Sequence, residues 1–151
     1  MAFLILDALE VIRTNLLTTN YFADVTVGEP KSAPEKAQLT AHIWMDAISN
    51  PTTTLDKTIQ VYGINLRIMA GAFEEPTSLL ETSLAEAVSK ADESLFADFT
   101  LGGKVRAIDV AGIYGVSYRV DFGYTEIDGT IFRMASFTIP LIVDDSATFA
   151  A

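Results

Sequence analysis

Residues 102–143 read GGKVRAIDVAGIYGVSYRVDFGYTEIDGTIFRMASFTIPLIV, and the reading of this stretch decides the fold. It is poor in helix formers and rich in Val, Ile, Tyr, Phe and Thr. Gly112, Gly115, Gly123 and Gly129 punctuate it. β-Branched and aromatic runs broken by glycine predict an antiparallel meander. Val116, Tyr118, Val120 and Phe122 alternate with Ser117, Arg119 and Asp121, the period of a strand with two unlike faces. Asp128-Gly129 is a dipeptide that favours the positive φ angles of a type I′ hairpin. Ile131 and Phe132 then open a second long strand that runs to Val143.

Upstream of the meander, residues 78–93 predict a helix. Leu80, Leu84, Ala87, Val88, Ala91 and Leu95 recur at steps of three and four. Ser78 and Glu81 have the spacing of a capping box. Glu81, Glu86, Asp92 and Glu93 fall on the remaining surface, with Lys90 the lone base, so the outer face is acidic.

Residues 58–70, TIQVYGINLRIMA, predict a long strand. Ile59 and Val61 share one face, whereas Ile64, Leu66 and Ile68 share the other. A change of phase at Gly63 predicts a bulge or bend. One strand then serves two apolar surfaces, a core and a subunit contact. Residues 49–57, SNPTTTLDK, lack a period and predict a mobile Thr-rich loop able to order against a partner. Before it, Leu39, Ala41, Ile43 and Met45 alternate with Thr40, His42, Trp44 and Asp46, another strand. Trp44 interrupts the polar face, which implies a cover on that side as well. Residues 24–27 predict a short strand and 31–36 a polar loop. Residues 3–19 predict a helix with Leu6, Leu9, Ile12 and Leu16 along one stripe, stopped near Asn20.

The order is α, β, β, β, α, then three or four strands. Helices and strands do not alternate as βαβ units. The expected class is α+β: a mainly antiparallel β-sheet with two α-helices packed on one face, in a single domain over 1–151.

Composition narrows the functions. The chain has 151 residues, 20 Asp and Glu against 10 Lys and Arg, and a net charge of −10. Such a surface does not bind nucleic acid by neutralising phosphates. Half the residues are hydrophobic, which for a chain this small implies association of copies. There is no cysteine, hence no disulfide, thiolate nucleophile or Cys-based metal site. The first residues, MAFLILDALEV, meet Asp7 and Glu10 at once and do not read as a signal peptide. No apolar run approaches the roughly 20 residues of a membrane span.

Catalytic patterns fail in turn. His42 is the only histidine, it sits in a strand pattern, and no Gly-x-Ser-x-Gly accompanies it. Asp144-Asp145 and Glu74-Glu75 lack calcium-loop spacing. Gly102-Gly103-Lys104 lacks the rest of a phosphate loop. No enzyme activity, cofactor or metal is expected.

Several features together resemble the small tail-terminator (tail-completion, neck) proteins of long-tailed bacteriophages. They are the N-terminal helix, the Thr-rich loop before a long strand, the acidic helix, and a C-terminal pattern. That pattern runs Gly123-Tyr124, Asp128-Gly129, Phe132-Arg133 and Ile139-Pro140-Leu141 before Asp144. The likeness spans nearly the whole chain in layout, on short motifs. It implies a homohexameric ring in the virion tail or neck, assembled in the bacterial cytoplasm. The ring caps the tail-tube protein, stops its polymerisation and then meets the head-tail connector. Genome DNA passes an acidic lumen without specific binding, and no membrane is involved. Candidate contacts are the aromatic residues Trp44, Tyr62, Tyr114 and Tyr118, with Pro51, Thr53 and Leu55 from the loop. The alternatives are a tail-tube or head-completion protein, or a ligand-binding or enzymatic α+β module.

Overall fold

The computed structural model describes residues 5–22, 24–28, 39–53, 58–71, 77–127 and 129–144. The elements run α1 (Ile5–Thr18), β1 (Asp24–Val27), β2 (Thr40–Thr53), β3 (Thr58–Gly71), α2 (Thr77–Ala97), β4 (Ala107–Ile108), β5 (Arg119–Ile127) and β6 (Thr130–Asp144). Six strands form one curled, mostly antiparallel sheet, and the class is α+β. Its order is β1-β2-β3-β6, with β4 and β5 both paired to the far side of β6.

The core explains the layering. Ala8, Leu9, Ile12 and Leu16 of α1 and Leu84, Ala87, Ala91 and Leu95 of α2 are buried. They join one cluster with Ala41 and Ile43 of β2, Ile64, Leu66 and Ile68 of β3, and Ala135, Phe137, Ile139 and Leu141 of β6. The strand residues are alternate positions, and the register sets Ile43, Leu66 and Phe137 side by side. They therefore share one face, and both helices cover it. Each fully buried Leu or Ile contributes about 1.5–3 kcal/mol of transfer free energy.

α1 ends as expected: Asn20 takes a φ of 63°, a left-handed position that asparagine tolerates. At the end of α2, Asp98 Oδ1 accepts the Gly102 N–H at 2.8 Å, while its Oδ2 accepts from Asn15 Nδ2 at 2.9 Å. One carboxylate thus closes the α2 terminus and ties it to α1. Ser78 lies inside α2, and the Glu81 carboxylate takes Arg133 Nε of β6 at 2.8 Å.

Two connections differ from expectation. β1 pairs with β2 in parallel, so this edge is not part of the antiparallel meander. Residues 49–53, expected in a loop, continue β2, with Thr52 opposite Ile59 and Thr53 opposite Thr58. Threonine suits a strand, so Thr52 and Thr53 extend the hairpin. Residues 54–57 lie outside the described residues.

The predicted irregularity at Gly63 is real, but it belongs to the neighbouring strand. β3 keeps unbroken register with β6 through Gly63, while β2 shifts between Met45 and Ala47. Ala47, Gly63 and Pro140 then stand in one row across three strands. A bulge, a glycine and a proline in one row make a crease, where pleating and pairing are weakest. The sheet is also apolar on its reverse face, where Val61, Met69, Phe132 and Ile142 are buried.

Candidate functional site

Among the described residues, the far edge of the sheet carries a run of exposed large hydrophobic side chains, Val110, Ile113, Val116, Phe122 and Tyr124. β4 pairs Ile108 with Leu141, and Asp109 N–H then donates to the Pro140 carbonyl at 2.9 Å. The edge resumes at Arg119, opposite Thr138. Residues 110–118 thus leave the sheet opposite Ile139 alone. The alternating pattern from Val116 predicted strand here, but the strand starts only at Arg119.

Asp109 holds this excursion. Its side chain is buried, Oδ1 accepts the Ile113 N–H at 2.9 Å, and Oδ2 accepts the Tyr114 N–H at 3.1 Å. Its carbonyl takes the Gly112 N–H at 3.3 Å. Gly112 has a φ of +73°, and an added Cβ would lie 2.9 Å from the Ser117 Cβ, so the turn requires glycine. The result is a fixed loop with apolar residues outward: Ile113 is 75% exposed and Val116 50%.

Beyond the loop, β5 lies along β6 as an outer strand. Phe122 is 51% exposed and Tyr124 64%. The Arg133 guanidinium reaches over both rings, 5.8 Å from the Phe122 centroid and 4.9 Å from that of Tyr124. Glu81 and the Gly123 carbonyl hold it in place. Exposed aromatics ordered around an arginine are the composition of an interface hot spot.

The sequence candidates disperse over the molecule. Trp44 is half-buried on the reverse face, with Arg67 5.3 Å over its ring. Tyr62 packs against the core, and its hydroxyl donates to Gln60 Oε1 at 3.2 Å. Tyr118 is spent inside the fold: it packs on Phe96 and Phe137, and its hydroxyl donates to Asp92 of α2. Burial and that bond push the phenol pKa well above its usual value. Tyr114 is half-buried at the base of the excursion. Pro51 and Thr53 lie in the end of β2, and Leu55 falls outside the described residues. Phe122, Tyr124 and Arg133 were not among the candidate contacts, although Tyr124 and Arg133 stand in the C-terminal pattern that carries the resemblance. Phe122 alternates like a core residue, and only the outer position of β5 reveals its exposure.

The reverse face carries a polar row. His42 stands opposite Arg67, and Thr26 Oγ1 lies 2.6 Å from His42 Nδ1. Thr40 Oγ1, His42 Nε2 and Arg67 Nε are buried without hydrogen-bond partners among the described residues. Each such group costs about 1–3 kcal/mol. Burial lowers the His42 pKa, Asp24 opposes that, and Arg67 adds to it. A cleft of about 490 Å³ between the end of α1 and α2 is lined by Thr19, Tyr21, Lys90, Glu93, Ser94 and Ala97. Its two charged groups pair with each other at 3.4 Å. Among the described residues, no group of three or more acids or histidines could hold a metal, and no helix is long and apolar enough to cross a membrane.

No protein-family model matches the chain, and no curated protein matches it. The class is therefore set by fold and surface: an α+β chain with helices on one face of a curled sheet and an aromatic outer strand.

Proposed function

We propose that the chain is a structural virion protein, a tail terminator whose copies form a ring of six. The ring caps the tail tube, halts its polymerisation and receives the head connector. The layout resemblance supports this reading, and one structural observation carries it furthest. Apolar and aromatic side chains are concentrated and held in place along one sheet edge, at Ile113, Val116, Phe122 and Tyr124. A solvent-facing enzyme does not need such an edge, whereas an assembling subunit does. The charge of −10 suits a channel that repels DNA. The reading involves no catalysis; the cleft beside α2 has no histidine, since His42 stands on β2.

Negative-stain electron microscopy of the purified chain at high concentration tests it. Closed rings are expected. Long tubes would favour a tail-tube subunit. Isolated particles that bind a small molecule saturably would favour a ligand-binding module.

A further inference from the structure

We infer that β5 is a self-pairing edge, joining two copies of this chain across a two-fold axis through Gly123. The inference stands apart from the ring reading. The two-fold contact takes up Phe122 and Tyr124 and leaves Ile113 and Val116 of the excursion to head-to-tail ring contacts, so free chains would join as pairs and closed rings as pairs of rings.

The two outer edges of the sheet are unlike. β1 is short, and Arg13 Nε already donates to its Val25 carbonyl at 2.8 Å. β5 runs for nine residues, pairs only with β6 among the described strands, and has no buried position. Natural edges are blunted by proline, lysine or bulges. β5 has no proline or lysine, and its Arg119 and Asp121 neutralise each other at 2.7 Å.

The hairpin fixes which backbone groups are free. Ile127 and Thr130 flank a two-residue connection, so they form the closing hydrogen-bonded pair. Counting back by twos, Thr125, Gly123, Asp121 and Arg119 also turn their backbone groups toward β6. Those of Val120, Phe122, Tyr124 and Glu126 point outward.

β5 spans residues 119–127, and its midpoint is Gly123. An antiparallel pair centred there uses the full strand. It sets Val120 against the partner's Glu126 and Phe122 against the partner's Tyr124, each twice by symmetry. All four residue types belong to the outward set, so backbone bonds form in register. Asp121 faces Thr125 and Arg119 faces Ile127, so no like charges meet directly or diagonally. The two aromatic pairs lie on one face, each beside an Arg133 already held by Glu81. Cross-strand aromatic pairs are worth about 0.2–1 kcal/mol each. Aromatic side chains bury about 150–250 Å² when fully covered, and these begin about half exposed. The contact therefore falls below the roughly 1,200 Å² of a standard stable interface, and the dimer is concentration-dependent.

The chain has no cysteine, which makes the test clean. Gly123 would face its own symmetry mate in a non-hydrogen-bonded pair, with Cα atoms about 4.5 Å apart. An added Cβ there meets only Met134 Cε, at 3.6 Å, and the backbone is not left-handed, so Gly123→Cys is accommodated. Under mild oxidation G123C should form a disulfide-linked dimer at least tenfold faster than Glu86→Cys on the exposed face of α2. By sedimentation equilibrium the native species, whether a single chain or a closed ring, should double in mass as concentration rises. The double variant Phe122→Thr, Tyr124→Thr should lose that doubling while keeping its circular dichroism spectrum. Cross-linking of G123C no faster than E86C would overturn the inference. So would a doubling of mass that survives the double threonine variant.

Discussion

Asp109→Ala should loosen the excursion over residues 110–118 without unfolding the sheet. The carboxylate is buried and receives the Ile113 and Tyr114 N–H groups at 2.9 and 3.1 Å. Hydrogen bonds to a charged group are worth about 1.5–3 kcal/mol each, so the gross loss is about 3–6 kcal/mol. Two effects reduce it. Alanine relieves the burial of a charge. The freed amides can also turn to water, because Ile113 is largely exposed. A net loss of about 2–3 kcal/mol follows, or about 4–12 °C in melting temperature at this chain length. Asp109→Asn keeps one acceptor and turns an NH₂ toward the other amide, so it should fall between alanine and wild type. Urea unfolding should show a lower midpoint with an unchanged slope. Native-state hydrogen exchange should show protection lost at Ile113 and Tyr114 but retained along β3 and β6. Changes within about 0.5 kcal/mol for both variants, with exchange at those amides unaltered, would refute the reasoning.

Three further outcomes are expected. Tyr118→Phe should cost about 1 kcal/mol by removing the bond to Asp92. Because the folded-state phenol pKa is raised, wild-type stability should be complete below about pH 10 and fall above it as the unfolded state deprotonates first. The variant should lack that fall in a pH series of urea midpoints. The His42 pKa is lowered by burial, so its contribution is complete above about pH 6.5. Stability should decline as pH drops below that value and the unfolded state takes the proton first, and His42→Gln should flatten this decline. Gly112→Ala should lower the thermal midpoint by about 1–3 kcal/mol equivalent, since both its φ of +73° and the Ser117 contact exclude a Cβ.

The sequence was most legible where one period ran without competition. Leu9, Ile12 and Leu16 of α1, the strand at residues 24–27 and the long β3 and β6 strands could all be read, because burial on one face imposes the period directly; Leu6, expected on the same stripe, is exposed in the first turn, and Ala8 is buried instead. Asp128-Gly129 gave the hairpin length, and Ile127 indeed pairs with Thr130. Non-local geometry was less legible. The parallel pairing of β1 with β2 depends on the path of the intervening chain. Glu81 had the spacing of a cap, and nothing in the local sequence foretold that its carboxylate also takes Arg133, 52 positions away. The change of phase at Gly63 was visible, yet the bulge sits in β2, where pairing rather than sequence decides it. Tyr118 and Phe122 share one alternating face, and sequence gives no reason to separate them. α2 supplies Asp92 and Phe96 to Tyr118, whereas Phe122 is left half-exposed beside Arg133. Interface residues were therefore sought at Trp44, the loop and three tyrosines, of which Tyr62 and Tyr118 pack against the core, while the exposed Phe122 and Tyr124 were not among them.

The measurement that bears most directly on an assembling virion subunit is particle mass by light scattering, from low to high protein concentration. A finite six-chain species is predicted at high concentration, or twelve where two rings meet through β5. Mass that stays at one or two chains throughout, or that grows without limit, would contradict the terminator ring.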